Sequence, residues 1–82
     1  MIVLDGKRMT DRADLHEELK RKLELPEYYG GNLDALNDCL SERRERELVV
    51  IEDAGEFLEG CEGYAAVVLR VFGDNGIQVL LD

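Results

Sequence analysis

Continuous apolar runs and regularly spaced apolar positions alternate along this 82-residue chain. Three of the continuous runs have the length and composition of β-strands and are bounded by glycine or charged residues. They cover Ile2–Asp5, Leu48–Ile51 and Ile77–Leu81. The middle run contains only apolar residues, which is typical of a strand that is buried on both faces in a parallel sheet.

The segment after the first strand predicts a helix with one buried face. Thr10 or Asp11 can cap this helix at its start. It continues to about Glu24 and ends there, because the residue before Pro26 is disfavoured in helical conformation. Its buried stripe is formed by leucines that recur every four residues, namely Leu15, Leu19 and Leu23.

Three further segments have helical character. Asn32 is a suitable cap for a second helix, Leu33 to about Arg43. Residues 54–61 predict only a loose helical turn, because glycines interrupt them, and Tyr64–Phe72 has the length of a helix. The apolar stripe of the second helix consists of Leu33, Leu36 and Leu40. Strands that alternate with helices predict a single α/β domain, residues 1–82, with parallel strands and right-handed crossovers.

Acidic residues outnumber basic ones by 19 to 10, which gives a formal net charge of −9. This excess argues against binding to nucleic acids or anionic membranes, because both attract positively charged surfaces. The longest apolar run, Tyr64–Leu69, is too short to cross a bilayer, and the first residues lack a secretory signal. We therefore expect a cytoplasmic protein in which Cys39 and Cys61 stay reduced and form no zinc site.

The second predicted helix carries a row of carboxylates roughly opposite its leucine stripe. Asp34, Asp38 and Glu42 follow one another at four-residue intervals and share one helix face, and Asn37 and Ser41 flank them. The row is either a hydrated acidic face or a surface complementary to the cationic side chains of a partner. The pattern alone leaves both interpretations open.

Two tyrosines and two glycines precede this helix in the loop Pro26–Gly31. Tyr28 or Tyr29 can cap the small core, or one of them can remain exposed as an aromatic anchor for a partner. Gly30 and Gly31 allow a positive φ or the close approach of another backbone. An acidic row with an aromatic residue at its edge would suit a protein that competes with phosphate for cationic side chains.

The stretch from Leu25 to Leu40, LPEYYGGNLDALNDCL, resembles the signature of the barstar family, the intracellular inhibitors of barnase-like ribonucleases. The similarity covers roughly residues 2–51 and resumes at Val71-Phe72 and in the last strand. It implies a small three-stranded parallel sheet packed with helices. It also implies an inhibitor that blocks the ribonuclease active site with helix carboxylates that mimic RNA phosphates.

The resemblance further implies roles for individual residues. Asp38 corresponds to an aspartate that occupies a phosphate position in the enzyme, and Asp34 to a second carboxylate that faces an arginine. Tyr28 corresponds to a tyrosine that packs against the catalytic histidine. The other implied contacts are the loop positions Gly30 and Asn32, the hydroxyl of Ser41, and Asn37, which stands where the family has a tryptophan.

No set of residues predicts catalysis, a cofactor or a metal site. The only histidine, His16, lies beside the stripe of the first helix and suits a structural or surface role better than that of a base. The favoured hypothesis is a monomeric inhibitor of a basic, barnase-like microbial ribonuclease. A module that binds another basic toxin or regulator stays open, since Arg43 replaces a second family tryptophan. A sensor based on Cys39 and Cys61 is the third hypothesis, disfavoured because Cys39 flanks the core stripe.

Overall fold

Three parallel strands lie side by side in the computed structural model, which describes all 82 residues of the chain. This arrangement confirms the predicted α/β class. The strands, in their order across the sheet, are β1 (Ile2–Asp5), β2 (Val49–Glu52) and β3 (Val79–Leu81). Strand β3 begins two residues later than predicted, because the N–H of Ile77 donates to the carbonyl of Phe72 in the preceding helix.

Four helices connect the strands, two in each crossover. They are α1 (Arg12–Lys22) and α2 (Leu33–Glu42) before β2, and α3 (Ala54–Gly60) and α4 (Tyr64–Asp74) before β3. The first two begin at predicted caps: the carboxylate of Asp11 accepts the N–H of Asp14, and the amide oxygen of Asn32 accepts that of Ala35, both at 2.8 Å. Each cap satisfies a first-turn donor that has no partner within its helix.

Helix α3 is a regular helix, so the prediction of a loose turn in this region is wrong. Buried Ala54 and Phe57 hold it against the core, and this burial outweighs the low helix propensity of its glycines. Gly60 is required for close packing, since a Cβ atom there would lie 2.5 Å from the Cα and the carbonyl oxygen of Thr10. Helix α4 also continues two residues beyond its predicted end at Phe72.

The helices bury one face of the sheet and leave the other partly open. Val49 and Ile51 in β2 are each 1% exposed, whereas Val50 between them is only half-buried. The register places Val50 in a row with Val3 and Leu80, and Leu80 is 48% exposed. The prediction that β2 is buried on both faces is therefore wrong, because a run of apolar residues does not show on which side the helices pack.

Both leucine stripes face the core, with one exception. Five of the six leucines are at most 1% exposed, which confirms the stripe of α1 and most of that of α2. Leu33 is only half-buried, because it is the first residue of α2 and lies at the margin of the core. None of the four helices combines the length and the apolar character that crossing a membrane requires.

Candidate partner-binding site

Helix α2 turns its leucines to the core and its carboxylates to the solvent. Leu36 and Leu40 are fully buried, whereas Asp34, Asp38 and Glu42 are exposed. These three carboxylates are called the acidic row below. None of them takes part in the ion pairs of the structure, which all lie elsewhere. The acidic row therefore has no cationic partner within the protein.

Two arginines that follow α2, Arg43 and Arg46, contact backbone carbonyls instead of the acidic row. Arg43 donates through Nη1 to the carbonyl oxygen of Leu23, the C-cap residue of α1, at 2.9 Å. Arg46 donates in the same way to the carbonyl oxygen of Arg43. A cation at a helix C-terminus interacts favourably with the negative end of the helix dipole. Arg43 is thus held by α1, and Asp38 remains free.

The loop Pro26–Gly31, called the tyrosine loop below, forms a cleft with α2. The cleft has a volume of about 420 Å³, and its lining includes Tyr28, Gly30, Asp38 and Cys39. The two tyrosines point in different directions: Tyr28 is 85% exposed, whereas Tyr29 is half-buried and packs against the core. Tyr29 thus caps the core, and Tyr28 is the exposed aromatic residue beside the acidic row.

The other candidate residues lie around the acidic row, and three of them, Asn32, Asn37 and Ser41, form side-chain hydrogen bonds within the protein. Gly30 and Asn32 are exposed, and the amide oxygen of Asn32 is engaged as the helix cap. The hydroxyl of Ser41 donates to the backbone carbonyl of Asp38 at 2.9 Å. Asn37 accepts a hydrogen bond of 2.9 Å from the amide of Asn75, the residue that ends α4. No sequence pattern indicates this contact between α2 and α4.

His16 joins three parts of the fold. The imidazole is 5% exposed, its Nδ1 lies 2.6 Å from the hydroxyl of Tyr29, and its Nε2 lies 2.7 Å from the hydroxyl of Tyr64 at the start of α4. The guanidinium of Arg12 stacks over the Tyr64 ring, 4.2 Å from its centroid. Burial lowers the pKa of His16 and raises the pKa of both tyrosines. Of the two roles expected for His16, the structure shows the structural one.

The two cysteines have the properties of unreactive thiols. Burial raises the pKa of Cys39, and the nearby carboxylates of Glu42 and Asp38 raise it further. Cys61 is buried, its Sγ donates to the carbonyl of Met9 at 3.2 Å, and burial raises its pKa as well. Since the thiolate is the reactive form, these environments disfavour a thiol sensor. No three His, Cys, Asp or Glu side chains are grouped as ligands of a metal ion.

Comparison with known proteins assigns the family. The model of the family described as Barstar (barnase inhibitor) matches residues 1–79. A protein of Bacillus subtilis (strain 168), named "Putative ribonuclease inhibitor YrdF", is 42% identical over 71 residues, which are 85% of this chain and 78% of that protein. The chain therefore belongs to the barstar family, as the signature around the tyrosine loop and α2 indicates.

Proposed function

We propose that this protein inhibits a basic, barnase-like microbial ribonuclease by covering its active site. The observation that carries the proposal is the acidic row of α2, which is exposed and unpaired next to the exposed Tyr28. Carboxylates can replace phosphates as acceptors for arginine, lysine and protonated histidine. In this proposal, Asp38 and Asp34 occupy the positions that RNA phosphates take in the enzyme.

The surrounding residues complete the interface. Tyr28 packs against an active-site ring of the enzyme, and the backbone at Gly30 and Asn32 approaches the enzyme surface. Asn37 and Ser41 contact the partner beside the acidic row. All five residues are exposed, so a partner can reach them. Membership of the barstar family and the cleft beside Asp38 support this placement of the interface. In this proposal the protein acts by binding, and its only histidine, His16, is hydrogen-bonded to two tyrosine hydroxyls within the fold.

The charge of the protein favours such a partner. With a net charge of −9, the protein attracts a basic enzyme at long range and accelerates their encounter. A free monomer in the cytoplasm would protect cellular RNA from a ribonuclease that the cell secretes. The protein would not bind the RNA itself, because the acidic row repels phosphates.

The test is a titration of RNA cleavage. A fixed amount of each of several guanyl-preferring microbial ribonucleases is mixed with increasing amounts of the protein. We expect activity to reach zero near a one-to-one ratio with at least one enzyme. Failure to inhibit any of them, with direct binding to another basic protein, would contradict the proposal.

A second candidate function is immunity or regulation through a different basic protein. It is favoured by the two positions where this chain departs from the family, Asn37 and Arg43. Both side chains are engaged within the protein, to Asn75 and to the carbonyl of Leu23, where the family has tryptophans. A surface with these polar groups differs in shape from one with two indole rings, so it selects a different enzyme or a different toxin.

A further inference from the structure

The tyrosine loop is weakly held by its own backbone. Between Glu27 and Gly31, the only backbone hydrogen bond runs from the N–H of Tyr29 to the carbonyl of Pro26, at 2.9 Å. Two consecutive glycines follow, and Gly31 has a φ of +65°. Such a segment loses much conformational entropy when a partner orders it. Its position must therefore depend on side-chain contacts.

Two side-chain contacts attach this loop to α1. Lys20 reaches the carbonyl of Glu27 at 3.4 Å and its carboxylate at 3.8 Å, but the side chain of Glu27 is fully exposed. Exposed contacts of this kind contribute little. The hydroxyl of Tyr29, by contrast, contacts the buried imidazole of His16 at 2.6 Å. This is the stronger of the two attachments to α1, and it lies one residue from Tyr28.

We infer that His16 is a positioning residue for partner binding, because its hydrogen bond to Tyr29 fixes the loop that presents Tyr28 and Gly30. The inference rests on the proposed function. His16 also contacts Tyr64 from the opposite side, so a chain of hydrogen bonds connects α4 through His16 of α1 to the loop. Fixing a loop before binding removes an ordering penalty and increases affinity.

The burial of His16 favours the neutral imidazole, because it lowers the pKa of the ring. A neutral imidazole has one donor and one acceptor nitrogen, so one tyrosine hydroxyl donates to it and the other accepts from it. The titratable and charged groups near its two tyrosine partners include the thiol of Cys39 near Tyr29, the thiol of Cys61 near Tyr64, and the guanidinium of Arg12 above the Tyr64 ring. No carboxylate forms an ion pair with His16 that would stabilise the imidazolium.

The two tyrosines provide a matched pair of variants. Tyr29→Phe and Tyr64→Phe each remove one hydroxyl from the same imidazole, but only Tyr29 belongs to the partner-facing loop. We expect similar decreases in melting temperature, because each variant loses one neutral hydrogen bond. We expect Tyr29→Phe to raise the Kd for the inhibited ribonuclease about tenfold, and Tyr64→Phe to raise it by less than about threefold.

Nuclear magnetic resonance adds a readout that does not need the enzyme. In Tyr29→Phe, backbone order parameters of residues 27–31 should fall from about 0.85 towards 0.6, while Tyr64→Phe leaves them unchanged. His16→Phe should reproduce the result of Tyr29→Phe, and the double variant should be no worse than either single variant.

The outcomes separate the two proposals. If the wild-type protein inhibits no ribonuclease, the proposed function fails, and the order parameters still report whether His16 fixes the loop. If it does inhibit, but Tyr29→Phe and Tyr64→Phe change the Kd and the order parameters equally, His16 has only a structural role and the inference is overturned.

Discussion

Replacement of Asp38 by alanine should weaken partner binding and stabilise the free protein at the same time. Asp38 is the central member of the acidic row, so a docked partner covers it more completely than its neighbours. Two opposite charges 4 Å apart attract by about 4 kcal/mol at an effective dielectric constant of about 20. The desolvation of both groups subtracts from this value, so we expect a loss of at least ~2 kcal/mol, chiefly through faster dissociation. The general range of about 2–5 kcal/mol is drawn in part from the barnase–barstar pair itself and is here transferred to a family member.

The stability of the free protein should change in the opposite direction. Alanine has a better helix propensity than aspartate by roughly 0.5 kcal/mol. The change also removes like-charge pairs with Asp34 and Glu42, worth about 0.2–0.5 kcal/mol each. The hydrogen bond of Ser41 goes to the backbone carbonyl of Asp38 and survives the substitution. A thermal melt should therefore show an equal or higher melting temperature.

The assay is a binding titration with the inhibited ribonuclease, run with two control variants. Asp34→Ala should weaken binding less than Asp38→Ala, because Asp34 lies one turn nearer to the helix end. Glu59→Ala, which removes another exposed carboxylate from α3, should change the binding free energy by less than about 0.5 kcal/mol. If Glu59→Ala is as damaging as Asp38→Ala, the acidic row is not the centre of the interface. A parallel loss of binding and of stability in Asp38→Ala would equally refute the reasoning.

Three further predictions concern encounter, acid sensitivity and packing. The rate of association with the ribonuclease should fall as the salt concentration rises from about 10 to 150 mM, because the Debye length shrinks from about 30 to 8 Å. An association rate that does not depend on salt in stopped-flow mixing would contradict charge steering. Burial lowers the pKa of His16 below the 6.5 of the unfolded chain, so the contribution of the neutral ring to stability is full above pH 6.5 and is lost as the pH falls through the lowered pKa. The urea midpoint should therefore decrease less between pH 7 and pH 5 in His16→Gln than in the wild type. Parallel pH profiles of the two proteins would argue against this contribution of His16. Gly60→Ala should destabilise the protein by about 1–3 kcal/mol in urea melts, since its Cβ meets the backbone of Thr10. Gly55→Ala, which meets nothing within 4 Å, should stabilise it by about 0.5–1 kcal/mol, and the reverse order of these two would refute the packing argument.

Features that depend on neighbouring residues could be predicted from the sequence. The caps at Asp11 and Asn32 and the buried stripe of α1 rest on spacings of three or four residues, and all three are confirmed. Their physical cause lies within one or two helical turns. The exposure of Asp34 and Asp38 follows from the same periodicity, because residues on the face opposite a buried stripe point to solvent.

Features that depend on distant segments could not be predicted. His16 contacts Tyr29, 13 residues away, and Tyr64, 48 residues away, and nothing local identifies either hydroxyl as its partner. The contact between Asn37 and Asn75 spans 38 residues and could not be predicted for the same reason. The segment of α3 was predicted as only a loose turn for a related reason, because its helix is stabilised by the burial of Phe57 against other elements.

The absence of cations around the acidic row makes the lifetime of the free protein depend on its partner. Two adjacent like-charge pairs together destabilise the unbound helix by about 0.4–1 kcal/mol, which raises the fraction of unfolded molecules that a protease can cleave. A partner present at 100 times its Kd would add about 2.7 kcal/mol of stability through mass action alone. Unbound molecules would then be degraded faster than bound ones. The amount of inhibitor in a cell would consequently follow the amount of its enzyme, without any change in synthesis.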